Sequence, residues 1–315
     1  MHGGERSSAR QVGTGLAVGI GAAVVGLLPW IVTGMRLPLQ NTWATATTDP
    51  SDMPIALLPF SQYAATIVAA VLLVGGAVAG IAVRVLRARR VLTRSGSLAA
   101  VGGLVGLQLV AVVETAVVTG AGMRMDGTPG TGASISASQL YVVALTVGSL
   151  VCVGVAAVLA VLVARAAPGG ALVALAVSAV ALGVWADAFV VPPVSSVGGA
   201  AGVVLAFLRW VPAVAVGAAI AWTGLRTLGQ GVAAVVALGI LWSGTALVTA
   251  VSYALGSRVY LPYPVEMAAA GASVFVSALG PAGASLVPVL VAAVVGAAGA
   301  VAVRWWSSRT ARTAA

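Results

Sequence analysis

Eight long apolar runs fill most of this chain of 315 residues, and they constrain its fold more than any other feature. Each run is long enough to cross the roughly 30 Å hydrocarbon core of a bilayer as a helix. Charged residues make up only 7% of the chain, whereas a water-soluble domain carries about a quarter. Lipid cannot satisfy backbone polar groups, so the runs predict an all-α polytopic helical membrane bundle. The predicted spans are 12–34, 60–83, 98–120, 139–163, 171–191, 201–225, 231–255 and 286–303.

No polar stretch approaches the size of a second domain, so residues 1–315 are interpreted as a single membrane domain. One further apolar segment, 267–279, is shorter than the roughly 17 residues that a span needs. We interpret it as an interfacial or re-entrant helix, with a ninth span as the alternative.

Two apolar segments resemble each other, and they suggest an internal repeat. Residues 149–158 match residues 285–294, and spans three and seven fall at nearly the same offset. This pattern predicts two four-span halves related by an axis along the membrane normal, as in some transporters. The alternative is chance similarity, because the chain is rich in alanine, valine and glycine.

All sixteen basic residues are arginine, and their placement predicts the topology. Twelve lie on the side of the N-terminus, three lie opposite, and Arg209 falls within a span. The positive-inside rule therefore predicts cytoplasmic N- and C-termini. The lack of lysine is typical of a GC-rich bacterial genome, so we expect the membrane to be a bacterial plasma membrane. The twelve are Arg6, Arg10, Arg84, Arg87, Arg89, Arg90, Arg94, Arg165, Arg226, Arg304, Arg309 and Arg312; the three are Arg36, Arg124 and Arg258.

The composition argues against several function classes. The arginines do not form one patch with interleaved aromatics, so we expect no nucleic-acid partner. The only cysteine is Cys152 and the only histidine is His2, which leaves no intramolecular disulfide and too few ligands for a metal or haem site. No ATP-binding motif or nucleophile elbow is present. We therefore expect no cofactor and no enzymatic activity.

Three charged residues lie inside predicted spans, where each ionised group costs about 2.5–3.5 kcal/mol on insertion scales. They are Glu114 in span three, Asp187 in span five and Arg209 in span six. Counted at about 1.5 Å per residue, all three fall in the outer half of the membrane. We expect them to meet, because the forked guanidinium of arginine can bridge two carboxylates.

This constellation has a functional and a structural interpretation. As a substrate or ion site it would be an outward-facing polar site, and Pro212 supports this because proline frees backbone carbonyls and kinks a helix. As a packing lock, the same three charges would only hold helices together. In a third interpretation, Asp187 simply reaches the outer interface.

Other polar and small residues favour helix packing. Thr245, Thr249 and Ser252 share one face of span seven, and such hydroxyls more often bond across helix contacts or to their own backbone than line a pore. Gln108 is interpreted in the same way. Pairs of small residues allow helix backbones to approach closely, and they favour close packing within the chain and contact with a protein partner or a second copy. These pairs are Gly15/Gly19, Gly76/Gly80, Gly102/Gly106 and Gly296/Ala300.

The sequence thus indicates a transport-like membrane protein, a permease or a secondary-transporter-like subunit. A non-catalytic scaffold or envelope-assembly protein is the alternative. A membrane transferase with an extracytoplasmic active site is third, since Asp49 and Asp52 lie in the first outer loop. Turn formation is the simpler role for these two aspartates.

Overall fold

The computed structural model describes residues 2–40, 43, 49–123, 137–190, 199–257, 263–280 and 286–313. The loop residues Arg124, Asp126 and Arg258 lie outside these ranges. Within them the chain forms helices and two isolated β-bridges but no β-strand. The helices are α1 (His2–Val32), α2 (Ala65–Ala88), α3 (Arg94–Gly122), α4 (Ala137–Arg165), α5 (Pro168–Asp187), α6 (Gly199–Leu208), α7 (Val211–Thr223), α8 (Leu228–Gly256), α9 (Pro264–Leu279) and α10 (Leu286–Thr313).

Eight helical segments are long and apolar enough to cross a membrane. They confirm the predicted all-α membrane bundle, and the chain is a multi-pass membrane protein. The segments are Ala9–Val32, Gln62–Ala88, Arg94–Gly122, Ser138–Arg165, Pro168–Asp187, Ala201–Thr223, Leu228–Gly256 and Leu286–Trp306. Helix α9 is apolar but shorter, and its interfacial or re-entrant position stays a prediction.

The chain divides into two compact units. The first comprises Met1–Val161 and Val184–Gly202, and the second comprises Leu162–Gly183 and Val203–Ala315. The first contains α1–α3, most of α4, the end of α5 and the beginning of α6, and the second contains the end of α4, most of α5 and α6, and the helices from α7 onward. The predicted single domain and the 4+4 repeat both stay predictions.

Helices α1 and α3 pack closely in the first unit because glycines line their contact. A side chain on Gly15 would meet the backbone carbonyl of Gly96, and one on Gly19 would meet that of Ala100. The matching increments show that α1 and α3 run parallel. Close backbone approach of this kind lets dispersion act where lipid supplies no hydrophobic drive between helices.

The second unit uses the same device between α7 and α10. A side chain on Gly217 would meet Val295, and one on Gly296 would meet Ile220. Helix α8 starts with a capping box in which Thr227 and Gln230 satisfy each other's backbone N–H groups. The unit therefore has a defined helix start and a tight helix pair.

The predicted small-residue pairs differ in what they contact. Gly15/Gly19 lies against α3, Gly76 lies against Ala156 of α4, and Gly296 lies against α7. Gly102/Gly106 has open space where side chains would be added. Three pairs thus serve packing within the chain, while self-association through the Gly102/Gly106 face stays a prediction.

Candidate functional site

The connection between α1 and α2, which we call the α1–α2 connection (residues 33–64), belongs to the first unit, and its described residues are 33–40, 43 and 49–64. Leu37 donates its backbone N–H to Pro54, and Ala56 donates to Met35. These bonds pair two stretches of the connection in antiparallel fashion. Its apolar side chains join the core of the unit, and those fully buried include Leu37, Met53, Ala56, Leu58 and Phe60.

Glu114 of α3 anchors this connection. Its Oε2 accepts the backbone N–H of Leu57 at 2.9 Å and the hydroxyl of Thr115 at 3.1 Å. The Thr115 Oγ1 in turn accepts the N–H of Leu58 at 2.9 Å. Two neighbouring α3 residues therefore accept two consecutive backbone N–H groups of the α1–α2 connection. Hydrogen bonds to a charged acceptor are worth about 1.5–3 kcal/mol.

The other carboxylate oxygen of Glu114 has no such task. Oε1 accepts no hydrogen bond within the described residues, and it is not one of their fully buried, unpartnered atoms. Glu114 is half-buried as a whole. One oxygen is thus fixed by the fold, and the other has no hydrogen-bond partner among the described residues.

Asp187 lies at the C-terminal end of α5 and belongs to the first unit. Its side chain is half-buried and forms no hydrogen bond within the described residues. Its position is set by Trp185, whose Nε1–H donates to the carbonyl of Gly26 at 2.7 Å. The ring of Trp185 also meets Phe189 edge-on, with 4.9 Å between ring centroids. The Trp185 hydrogen bond therefore holds this end of α5 against α1, and the Phe189 ring supports the Trp185 side chain.

Arg209 lies in the second unit, between α6 and α7. Its guanidinium carbon is 4.6 Å from the centre of the Trp210 ring, and the side chain is exposed. The helix is interrupted here because Pro212, in the first turn of α7, has no N–H to donate to a preceding carbonyl. Span six is therefore two shorter helices with a cation at their junction.

The predicted meeting of the three charges stays a prediction. No hydrogen bond or ion pair joins the Glu114 and Asp187 side chains in the part of the chain that the structure describes. Arg209 belongs to the second unit.

Thr245, Thr249 and Gln108 form hydrogen bonds of the kind that the packing interpretation predicts. Thr245 donates to the Leu241 carbonyl at 2.9 Å, and Thr249 donates to the Thr245 carbonyl at 3.1 Å. Gln108 is fully buried and donates from Nε2 to the Leu72 carbonyl of α2 at 2.8 Å. Gly75 leaves room for this amide, since an added side chain would lie 3.2 Å from the Gln108 nitrogen.

Buried polar atoms without a partner concentrate in the first unit. Among the described residues they are Gln40 Nε2, Gln62 Nε2, Gln108 Oε1 and Thr119 Oγ1. Gln62 also donates its backbone N–H to the Tyr141 hydroxyl at 2.8 Å. Each such atom in an apolar interior costs about 1–3 kcal/mol unless water or a ligand pairs with it. The first unit therefore has unused capacity to bind polar groups.

Asp49 has a structural role in the α1–α2 connection. Its carboxylate accepts the N–H of Ser51 at 2.9 Å and caps a single helical turn, Pro50–Asp52. The backbone and side-chain hydrogen bonds from Ser51 lower the pKa of Asp49 below its usual value. Both aspartates are exposed, and this arrangement supports turn formation rather than catalysis.

Sequence reasoning missed several residues that organise this site. Thr115 is fully buried, but an isolated threonine in an apolar span gives no sign of a distant backbone partner. Trp43 lies against Gly122, where an added side chain would meet the indole ring. Trp185 gave a weak signal, since a tryptophan inside a span needs a partner for its N–H.

Comparisons with protein-family models, with curated proteins and with solved structures each return no match.

Proposed function

We propose that this protein is a transport-like membrane protein, without enzymatic activity, whose polar site in the first unit binds a cation or a proton. The main observation behind the proposal is that the two carboxylate oxygens of Glu114 differ in their contacts. Oε2 holds the α1–α2 connection, which leaves Oε1 without a hydrogen-bond partner among the described residues. An ionisable group inside a membrane span is a functional candidate because its insertion is costly.

Two further observations support the proposal. Asp187 supplies a second half-buried carboxylate in the same unit, with no side-chain partner among the described residues. In the second unit, span six is interrupted at Arg209, and transporters commonly place discontinuous helices at their binding sites. We propose that the Glu114 side faces the exterior of a bacterial plasma membrane, with both termini in the cytoplasm, as the arginine placement predicts.

Charge movement in proteoliposomes tests the proposal. The purified protein is reconstituted on a solid-supported membrane, and currents are recorded after steps of Na⁺, K⁺, choline or pH. We expect a protein-dependent current for at least one of these steps. Glu114→Gln should lower that current by about tenfold or more, because it removes the charge while the amide oxygen still accepts the Leu57 N–H.

Glu266→Gln is the matched control, because Glu266 is an exposed carboxylate in the first turn of α9. It should leave the current unchanged. Absence of current with every ion, or an equal current in Glu114→Gln, would reject the cation site.

The anchoring hydrogen bonds favour a second candidate, a non-catalytic membrane scaffold. In that case Glu114, Asp187 and Arg209 would contribute only to packing. The combined variant Glu114→Gln, Asp187→Asn, Arg209→Gln should then accumulate in the membrane at the wild-type level and support wild-type growth. A stable combined variant that fails to complement a deletion strain would instead favour the site.

A further inference from the structure

Arginines from three segments surround one turn of the first unit. The turn between α2 and α3 carries Arg89 and Arg90, and α3 begins at Arg94. Arg10 lies near the beginning of α1. All four side chains are exposed, and none has a side-chain partner among the described residues. We call these four residues the basic turn surface.

Contacts between α1 and α3 bring Arg10 to this turn. Gln11 Oε1 accepts the backbone N–H of Thr93 at 3.3 Å and also the Thr93 hydroxyl. One turn further along, Gly15 and Gly96 approach so closely that no side chain fits at Gly15. The sequence places Arg10 about eighty residues from the other three arginines, and only this packing joins them.

The surface carries a concentrated positive charge. The first acidic residue of α3 is Glu114, which is far along the helix from Arg94. Glu5 of α1 is the nearest acid along the chain, and its side chain lies outside the described residues. Arginines also fit the end of α2, where the helix dipole favours cations. Arg90 has a φ of 57°, a conformation that glycine adopts with less strain, so helix termination alone does not account for an arginine there.

Exposed apolar side chains flank the same surface. Val85 is 44% exposed, Val91 is 47% exposed and Leu98 is 55% exposed. All three lie within a few residues of the arginines: Val91 is in the turn itself, and Val85 and Leu98 are on helices long and apolar enough to span a membrane. Fixed positive charge beside exposed apolar surface matches the two halves of an anionic phospholipid, its headgroup and the start of its acyl chains.

We propose that the basic turn surface binds the headgroup of an anionic phospholipid such as phosphatidylglycerol. This goes beyond the proposed cation site, which involves different residues. The guanidinium groups offer paired N–H donors to phosphate oxygens, and each arginine near an anionic surface adds to the attraction. The acyl chains lie along Val85, Val91 and Leu98. The surface selects lipid by charge, whereas neutral lipids meet only the apolar flank.

Native mass spectrometry of the full-length protein in a neutral detergent tests this. The protein is mixed with equal amounts of phosphatidylglycerol and phosphatidylcholine that carry the same acyl chains, and the ratio of the two bound lipids is measured. We expect phosphatidylglycerol to be favoured by about tenfold or more, since several arginines act together. The variant R10Q/R89Q/R90Q/R94Q should bring the ratio to within about twofold of one.

Two matched variants separate specific binding from net charge and from misfolding. R165Q/R226Q/R309Q/R312Q removes the same number of charges elsewhere and should keep most of the preference. R10K/R89K/R90K/R94K keeps the charge and should also retain the preference. Loss of preference in the control variant, or its persistence in R10Q/R89Q/R90Q/R94Q, would overturn the proposal.

Two direct outcomes would also overturn it. Equal binding of the two lipids by the wild-type protein would show that the surface does not select charge. Displacement of phosphatidylglycerol by a large excess of free glycerol phosphate would show that a soluble anion, rather than a lipid, is recognised.

Discussion

The role of a buried charge depends on what each of its atoms contacts. Glu114 shows this, because Oε2 accepts the Leu57 N–H of the α1–α2 connection while Oε1 accepts no hydrogen bond from the described residues. The sequence located Glu114 as an unusual residue, since carboxylates are costly in lipid. The sequence could not show that the two oxygens differ in their contacts, because the partner, Leu57, is far away along the chain.

Glu114→Ala is expected to release the α1–α2 connection. It removes the acceptor for the Leu57 N–H and the Thr115 hydroxyl, which should cost about 1.5–3 kcal/mol. The measurement is limited proteolysis in detergent, with cleavage within residues 50–58 read by mass spectrometry. Glu114→Gln keeps an acceptor oxygen and should be cleaved at nearly the wild-type rate. Equal resistance of Glu114→Ala would show that the anchor contributes little.

The Asp49 turn should depend on pH. Hydrogen bonds from Ser51 lower the Asp49 pKa, so the cap stabilises the turn above the usual value of 3.8 and is lost as the pH falls through the lowered pKa. In protein labelled with ¹⁵N-serine, the Ser51 amide shift should therefore titrate at a pH below 3.8. Asp49→Ala should abolish the titration. A midpoint above the usual value would contradict the cap.

At the scale of helices, the sequence indicated which elements form but not which faces meet. The small-residue pairs look alike as patterns, yet Gly15/Gly19 lies against α3 whereas Gly102/Gly106 faces open space. Span six was predicted as one kinked segment, and the structure interrupts it between Leu208 and Val211. The proline gave the local signal for this interruption, because its missing N–H acts within the helix itself.

We predict that a glycine in a helix contact tolerates substitution less well than a glycine that faces open space. Gly19→Ala adds a methyl group against the Ala100 carbonyl, and we expect a loss of about 1–3 kcal/mol in the free energy of unfolding. Gly106→Ala adds the same group where nothing lies within 4 Å, so stability should change by less than about 1 kcal/mol. Thermal unfolding in detergent compares the two. A larger loss in Gly106→Ala would place that face in a contact with another chain.

At the scale of the whole molecule, the balance of apolar and charged residues is the main constraint. Eight apolar helices make the chain a multi-pass membrane protein, and the arginines predict which ends face the cytoplasm. The division into two units follows from contacts between helices far apart in sequence. Pattern alone proposed a repeat of four and four spans, which stays a prediction.

The orientation can be tested with single cysteines. Cys152→Ser removes the one native thiol, and Asp52→Cys or Ser95→Cys then introduces a thiol at an exposed position. In intact cells a membrane-impermeant maleimide should label Asp52→Cys, while Ser95→Cys should react only after permeabilisation, because arginines are retained in the cytoplasm. The reverse pattern would invert the topology.

The sequence by itself determined the membrane environment, the helical class and the identity of the unusual charges. These follow from local physics, because hydropathy and backbone hydrogen bonding act within each segment. Tertiary structure alone decided that Glu114 holds Leu57, that Trp185 holds Gly26, and that Gln11, next to Arg10, holds Thr93 at the α2–α3 turn. Those contacts join residues tens of positions apart, and which of them form depends on how glycine-lined helix surfaces fit together.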